Sequence, residues 1–125
     1  LEMTQQQTIL NTNAGDTFTS DEITLDYIPD GFQLTQSASY ETGFMLRFEH
    51  DTLYFSLKVN KLEDTLILDT EDAEVKHIQI NGCEALLSVK ENVNILVWHD
   101  EFNIYRLVGN ILEKDLVKIA QHLKS

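Results

Sequence analysis

Apolar residues alternate with polar ones along most of the chain, and the period changes only once, near the carboxy terminus. From Asn92 to Val108 the sequence gives two β-rich runs, Ile95 to Trp98 and Ile104 to Val108, joined by His99-Asp100-Glu101-Phe102-Asn103, which predicts a hairpin. After Gly109 the spacing becomes helical. Leu112, Leu116, Ile119, Ala120 and Leu123 recur every three or four residues, Asn110 stands where an N-cap belongs, and Glu113 completes a capping box.

Upstream, Ile23, Leu25 and Tyr27 alternate with polar neighbours and lead into Pro29-Asp30-Gly31, where Pro fixes φ and Gly accepts a positive one, a turn. Phe44 to Phe48 and Leu53 to Val59 read as a hairpin turned at His50-Asp51-Thr52, with Phe44, Leu46, Phe48, Phe55, Leu57 and Val59 facing one way and Met45 and Arg47 the other. Leu66 to Leu68 is a short apolar run before an acidic stretch. Val75, Ile78 and Ile80 then meet Asn81-Gly82, a specific hairpin signal, and Ala85, Leu87 and Val89 share a face of the returning strand, with Lys90-Glu91-Asn92 as the next turn. The sum is about seven to nine short strands and one helix, an α+β domain with a curved antiparallel β-sheet and a C-terminal helix packed on one face. Residues 1–21, rich in Gln, Thr, Asn and Ser, read as a flexible arm or linker, and 22–125 as a single domain.

Length and composition fit one globular domain: 125 residues, 42% hydrophobic, five Gly and one Pro. Charge narrows the partners. With 21 acidic against 9 basic side chains, the formal charge is -12, a field that repels nucleic acid and anionic bilayers, so no nucleic-acid partner is expected. No apolar run is long enough for a membrane span, and no secretory signal opens the chain at Leu1, which reads as a piece of a longer protein. Cys83, the only cysteine, sits in an apolar strand and reads as a small buried hydrophobe.

Catalytic patterns are missing. His50, His77, His99 and His122 lack zinc spacing, there is no Gly-x-Ser-x-Gly elbow and no phosphate loop, and no cofactor is called for. His50-Asp51 and His99-Asp100 could serve a carboxylate/histidine hydrolase, but both fall in turns whose polarity needs no such explanation. The acidic run Asp69, Glu71, Asp72, Glu74 offers oxygen ligands to calcium yet lacks the glycine and glutamate spacing of a helix-loop-helix site, so a solvated loop is the simpler account. Enzyme activity is therefore not expected. The aromatic residues Tyr27, Phe32, Phe44, Phe55, Trp98 and Tyr105 either line a ligand face of the sheet or fill its core.

Tyr27-Ile28-Pro29-Asp30-Gly31-Phe32 resembles the Tyr-x-Pro-x-Gly-Phe signature of domain of unknown function family 4367. The ending, with Leu96-Val97-Trp98, Tyr105-Arg106-Leu107-Val108-Gly109 and the helical 112–120, is similar to that family's Leu-x-Trp, Tyr-x-Leu-x-Gly and terminal helix. The resemblance covers residues 22–124. It implies a bacterial domain, chiefly from Gram-positive organisms, often standing outside the membrane behind an amino-terminal anchor and in some proteins like anti-sigma factors, with a curved sheet somewhat like those of lipoprotein-carrier and sigma-regulator sensor domains. It supplies no catalytic residues. Together these readings give the expectation of a noncatalytic extracytoplasmic binding or sensory module for a peptide, protein or lipid-like ligand, held at the cell surface by a segment outside this sequence. The alternatives are a structural or protein-assembly domain and, third, a hydrolase.

Overall fold

The computed structural model describes residues 17–19, 23–62 and 74–124. The apolar run 66–68, the calcium candidates Asp69, Glu71 and Asp72, and most of the expected arm lie outside these residues. Strands β1 (Phe18–Thr19) and β2 (Thr24–Leu25) are followed by β3 (Gln33–Ser39), β4 (Gly43–His50) and β5 (Leu53–Lys61). Then come β6 (Glu74–Ile80), β7 (Cys83–Lys90), β8 (Val93–His99), β9 (Asn103–Gly109), the helix α1 (Glu113–Gln121) and β10 (Leu123–Lys124).

β3–β5 and β6–β9 are two antiparallel meanders. They fuse where β9 pairs with β5, giving a seven-stranded sheet ordered β3-β4-β5-β9-β8-β7-β6. Local chemistry sets the hairpins. Asn81 and Gly82 have φ of 52° and 86°, the left-handed pair that a two-residue turn matching strand twist requires. Glu91 and Asn92 take the same region at 53° and 67°, and Asp51 at 54°. The Pro29–Gly31 turn closes with the Phe32 N–H donating to the Pro29 carbonyl at 3.2 Å.

Register decides the core. Leu46, Leu57, Leu107, Leu96 and Leu87 are successive cross-strand partners from β4 to β7 and form one buried leucine row. Beside it runs Phe44, Val59, Tyr105, Trp98, Ala85 and Ile78, and on the other side Phe48, Phe55 and Gly109. Helix α1 buries Leu116, Ile119 and Ala120 and packs on β9, β8 and β6. Five leucines in one row each lose most of their solvent contact, roughly 2 kcal/mol apiece by area.

The small sheet β10-β2-β1 seals the end of this core. Leu25 stands opposite both Leu123 and Phe18, and the Phe18 ring meets Phe48 edge-on at 5.9 Å. Phe18 and Thr19, which composition assigns to the arm, are thus paired strand residues: a single half-buried ring packed on the core outweighs the polarity of its neighbours.

The helix boundary differs from the sequence expectation. Leu112, 63% exposed, is the N-cap residue and no side chain caps the helix; its carbonyl accepts from the Asp115 and Leu116 N–H groups. Asn110 is used elsewhere. Its Oδ1 accepts from the Tyr54 N–H at 2.8 Å, its Nδ2 donates to the Thr52 carbonyl at 2.9 Å, and its own N–H donates to the Tyr54 carbonyl at 3.2 Å. Asn110 therefore clamps the β4–β5 turn to the end of β9. Glu113 meets Lys76 at 3.3 Å instead of closing a capping box, and Leu123 leaves the helical face to enter β10.

Candidate functional site

The aromatic candidates lie on the face covered by the helix and the small sheet. Phe32, Phe55, Trp98 and Tyr105 are buried, while Tyr27 and Phe44 are half-buried and packed against the same core. They form two groups. Phe55 stacks on Phe48 at 4.9 Å and meets Phe32 at 5.4 Å; Trp98 stacks on Tyr105 at 5.1 Å. Tyr27 stands apart at the helix end, with the Lys118 ammonium 4.4 Å above its ring. Burial, then the carboxylates of Asp115 and Asp30, hold the Tyr27 hydroxyl above its ordinary pKa.

Side chains of both His-Asp turns make structural contacts. His50 lies against Gly31, where a Cβ would come within 2.7 Å of the imidazole, and meets the Phe32 ring at 5.7 Å. Asp100 is fully engaged. One carboxylate oxygen accepts from the Phe102 and Asn103 N–H groups at 2.8 Å each, and the other accepts from the Tyr105 hydroxyl at 2.7 Å. Burial by itself pushes the Asp100 carboxyl up, but these hydrogen bonds outweigh it and hold the group below the usual range. A carboxylate bound this way is a poor general base. Among the described residues no three His, Cys, Asp or Glu side chains come together as a metal site.

The opposite face of the sheet carries the features that sequence did not single out. Its side chains are unequally exposed: Val97, Ile104 and Ser88 are buried, whereas Lys58 and Arg106 are open to solvent. Lys58 of β5 and Arg106 of β9 are direct cross-strand partners there, both exposed, and neither has a carboxylate partner among the described residues. Like charges directly opposite are destabilising in a sheet. Lys58 lies 5.8 Å from the Tyr40 ring; Arg47, one strand further, is already neutralised by Glu49 at 2.7 Å and covers Tyr54 at 4.2 Å. Hydrogen bonds from Arg47 and Thr35 hold the Glu49 carboxyl below its ordinary pKa. Next to the two free cations the rows continue into Val97 and Leu86, and into Val108 and Ile95. They end near Ser88, which is buried with its hydroxyl unpartnered. Only the β5–β9 register brings 58 and 106 together, so no spacing in the sequence could have marked them.

A concavity of about 700 Å³ opens at the end of the sheet, lined by Leu62, Cys83, Glu84 and the β8–β9 turn His99 to Phe102.

No curated protein and no solved structure matches the chain. Residues 22–123 match the family described as Domain of unknown function (DUF4367). That span runs from β2 through α1 to Leu123, and so takes in the whole seven-stranded sheet together with the helix that covers it; the chain belongs to this family.

Proposed function

We propose that the domain is a noncatalytic binding module acting outside the cytoplasmic membrane, and that its helix-free face receives a lipid-like ligand with an anionic head group. The observation that carries this reading is the exposed Lys58–Arg106 pair. A chain of charge -12 has every reason to neutralise its few cations internally, yet here two face each other at a standing electrostatic cost. A carboxylate or phosphate placed between them would convert that cost into two charge-assisted contacts. The adjoining Leu86, Val108 and Ile95 are half-buried and leave some apolar surface for a chain attached to it, while Val97 is buried beside them.

The six aromatic candidates give no support to this surface, since they pack with the core on the other side. The noncatalytic reading draws support from Asp100, whose carboxylate is committed to the β8–β9 turn.

Dodecanoate below its micellar concentration, followed by amide and side-chain NMR shifts, tests the proposal. Shifts should concentrate at Lys58, Arg106 and Leu86, and Lys58→Gln with Arg106→Gln should weaken binding about tenfold. A neutral dodecyl glucoside binding equally well, or shifts confined to other parts of the molecule, would overturn it. For location, protease added to intact cells should digest the domain of the native protein; full protection would refute an extracytoplasmic site.

A further inference from the structure

The concavity at the sheet end borders the helix-free face, with His99 and Glu84 two residues along β8 and β7 from Val97 and Leu86, and it has the opposite chemistry to the Lys58–Arg106 pair. Six large apolar side chains are exposed among the described residues, and two of them, Leu62 and Phe102, share this cleft. Phe102 is 72% exposed at the tip of the β8–β9 turn. Its backbone, by contrast, is fixed. The Phe102 N–H donates to Asp100 Oδ1 at 2.8 Å and its carbonyl accepts from the Leu62 N–H at 2.9 Å. The Asp100 carboxylate is in turn gripped by Tyr105, which stacks on Trp98 in the core. An exposed ring on an immobilised backbone loses little further freedom when a partner closes over it, which is what an aromatic anchor in an interface needs.

The rim fixes the sign of the partner. Glu84 and Glu101 border the cleft, and no Lys or Arg lines it among the described residues. The Glu84 side chain is 76% exposed, with the His77 imidazole at 3.3 Å on one side, so its carboxylate is open to solvent and to an incoming cation. Apolar Leu62, Cys83 and Phe102 give the floor. We propose that this cleft is a docking site for a basic, apolar-containing segment of a partner protein. An aliphatic side chain packs against Phe102 and Leu62, and flanking Lys or Arg side chains reach Glu84 and Glu101. The volume is that of a site for a few side chains, within the roughly 300–1,000 Å³ of ordinary ligand pockets. The field of the whole molecule steers such a segment toward the domain.

The test uses a fluorescein-labelled Lys-Leu-Lys-Leu-Lys-Leu peptide and its Glu-Leu counterpart, read by anisotropy. The basic peptide should bind and the acidic one should not. Phe102→Ala should weaken binding about tenfold, and the pair Glu84→Gln with Glu101→Gln should do the same while reducing the salt dependence. All three sites are exposed, so far-ultraviolet circular dichroism melts of the variants should stay close to the parent. A second readout is Cys83, the only cysteine, whose alkylation by iodoacetamide should slow several-fold when the basic peptide is bound. Equal binding of both peptides, unchanged affinity in the variants, or no protection of Cys83 would each overturn the proposal. Lys58→Gln and Arg106→Gln should leave peptide binding intact, which separates this site from the Lys58–Arg106 pair.

Discussion

Asn110→Asp separates two accounts of one residue by the sign of its effect. At an N-cap, Asp is about as good as Asn, and a carboxylate at a helix N-terminus gains from the helix dipole, so a capping residue would tolerate the change or be stabilised by it. As a clamp, Asn110 uses both ends of its amide, accepting from the Tyr54 N–H and donating to the Thr52 carbonyl. Asp keeps the first bond. It loses the second and sets a carboxylate oxygen near 2.9 Å from a carbonyl oxygen, so it must turn away or open the turn. The lost bond is worth about 1 kcal/mol and the unpaired carbonyl and repulsion add about as much, for a total of roughly 2 kcal/mol. Asn110→Ala loses both bonds and should cost about the same or slightly more. Urea unfolding followed by Trp98 fluorescence gives the difference from the midpoint at constant slope, and amide exchange at Tyr54 should speed up in step. An Asp variant as stable as the parent, with Tyr54 exchange unchanged, would refute the clamp.

Tyr105→Phe removes the hydroxyl that holds Asp100, and the Asp100 carboxyl should titrate closer to its ordinary value by NMR. Because the folded-state pKa is depressed, this contact stabilises above the unfolded carboxylate pKa and its contribution fades as pH falls through the folded one. The variant should therefore lose about 1.5 kcal/mol near neutral pH and progressively less in acid, and a pH-independent loss would contradict that origin. Gly109→Ala places a Cβ 2.5 Å from the Tyr54 carbonyl oxygen and 2.8 Å from Phe55 Cβ. The strands cannot part without opening the core, so a loss of about 3 kcal/mol is expected from thermal or urea melts, and a variant within 1 kcal/mol or so of the parent would show that β5 and β9 have slack. Arg106→Gln should raise stability by about 0.5 kcal/mol by relieving Lys58; a clear loss instead would mean that the pair is not repulsive.

Much of the architecture was legible because hairpins are local. Asn81-Gly82 prescribes its own turn, and the alternation in 44–48 and 53–59 decides which side chains meet, so the leucine and aromatic rows follow once strands are neighbours. The helix was legible as an apolar stripe through Leu116, Ile119 and Ala120. Its start was not, because Asn, Leu and Glu can cap, clamp or pair, and the choice depends on where the β4–β5 turn lies. The aromatic residues illustrate a second limit. Composition identified them as core or ligand face, and period two placed Phe44, Phe55 and Tyr105 on a common side only relative to their own strands.

Sequence by itself determined the α+β class, the turns, the family signatures at both ends of the domain and the apolar face of each strand, since all of these rest on interactions between residues a few positions apart. Tertiary structure alone decided that β9 joins β5 to fuse two meanders, that Lys58 confronts Arg106, that Asn110 holds a turn 58 residues away, and that Phe102 stands exposed over an acidic cleft. These depend on which strands become neighbours and in what register. That selection is made by burial of the whole core at once, through contacts that no short window of the chain contains.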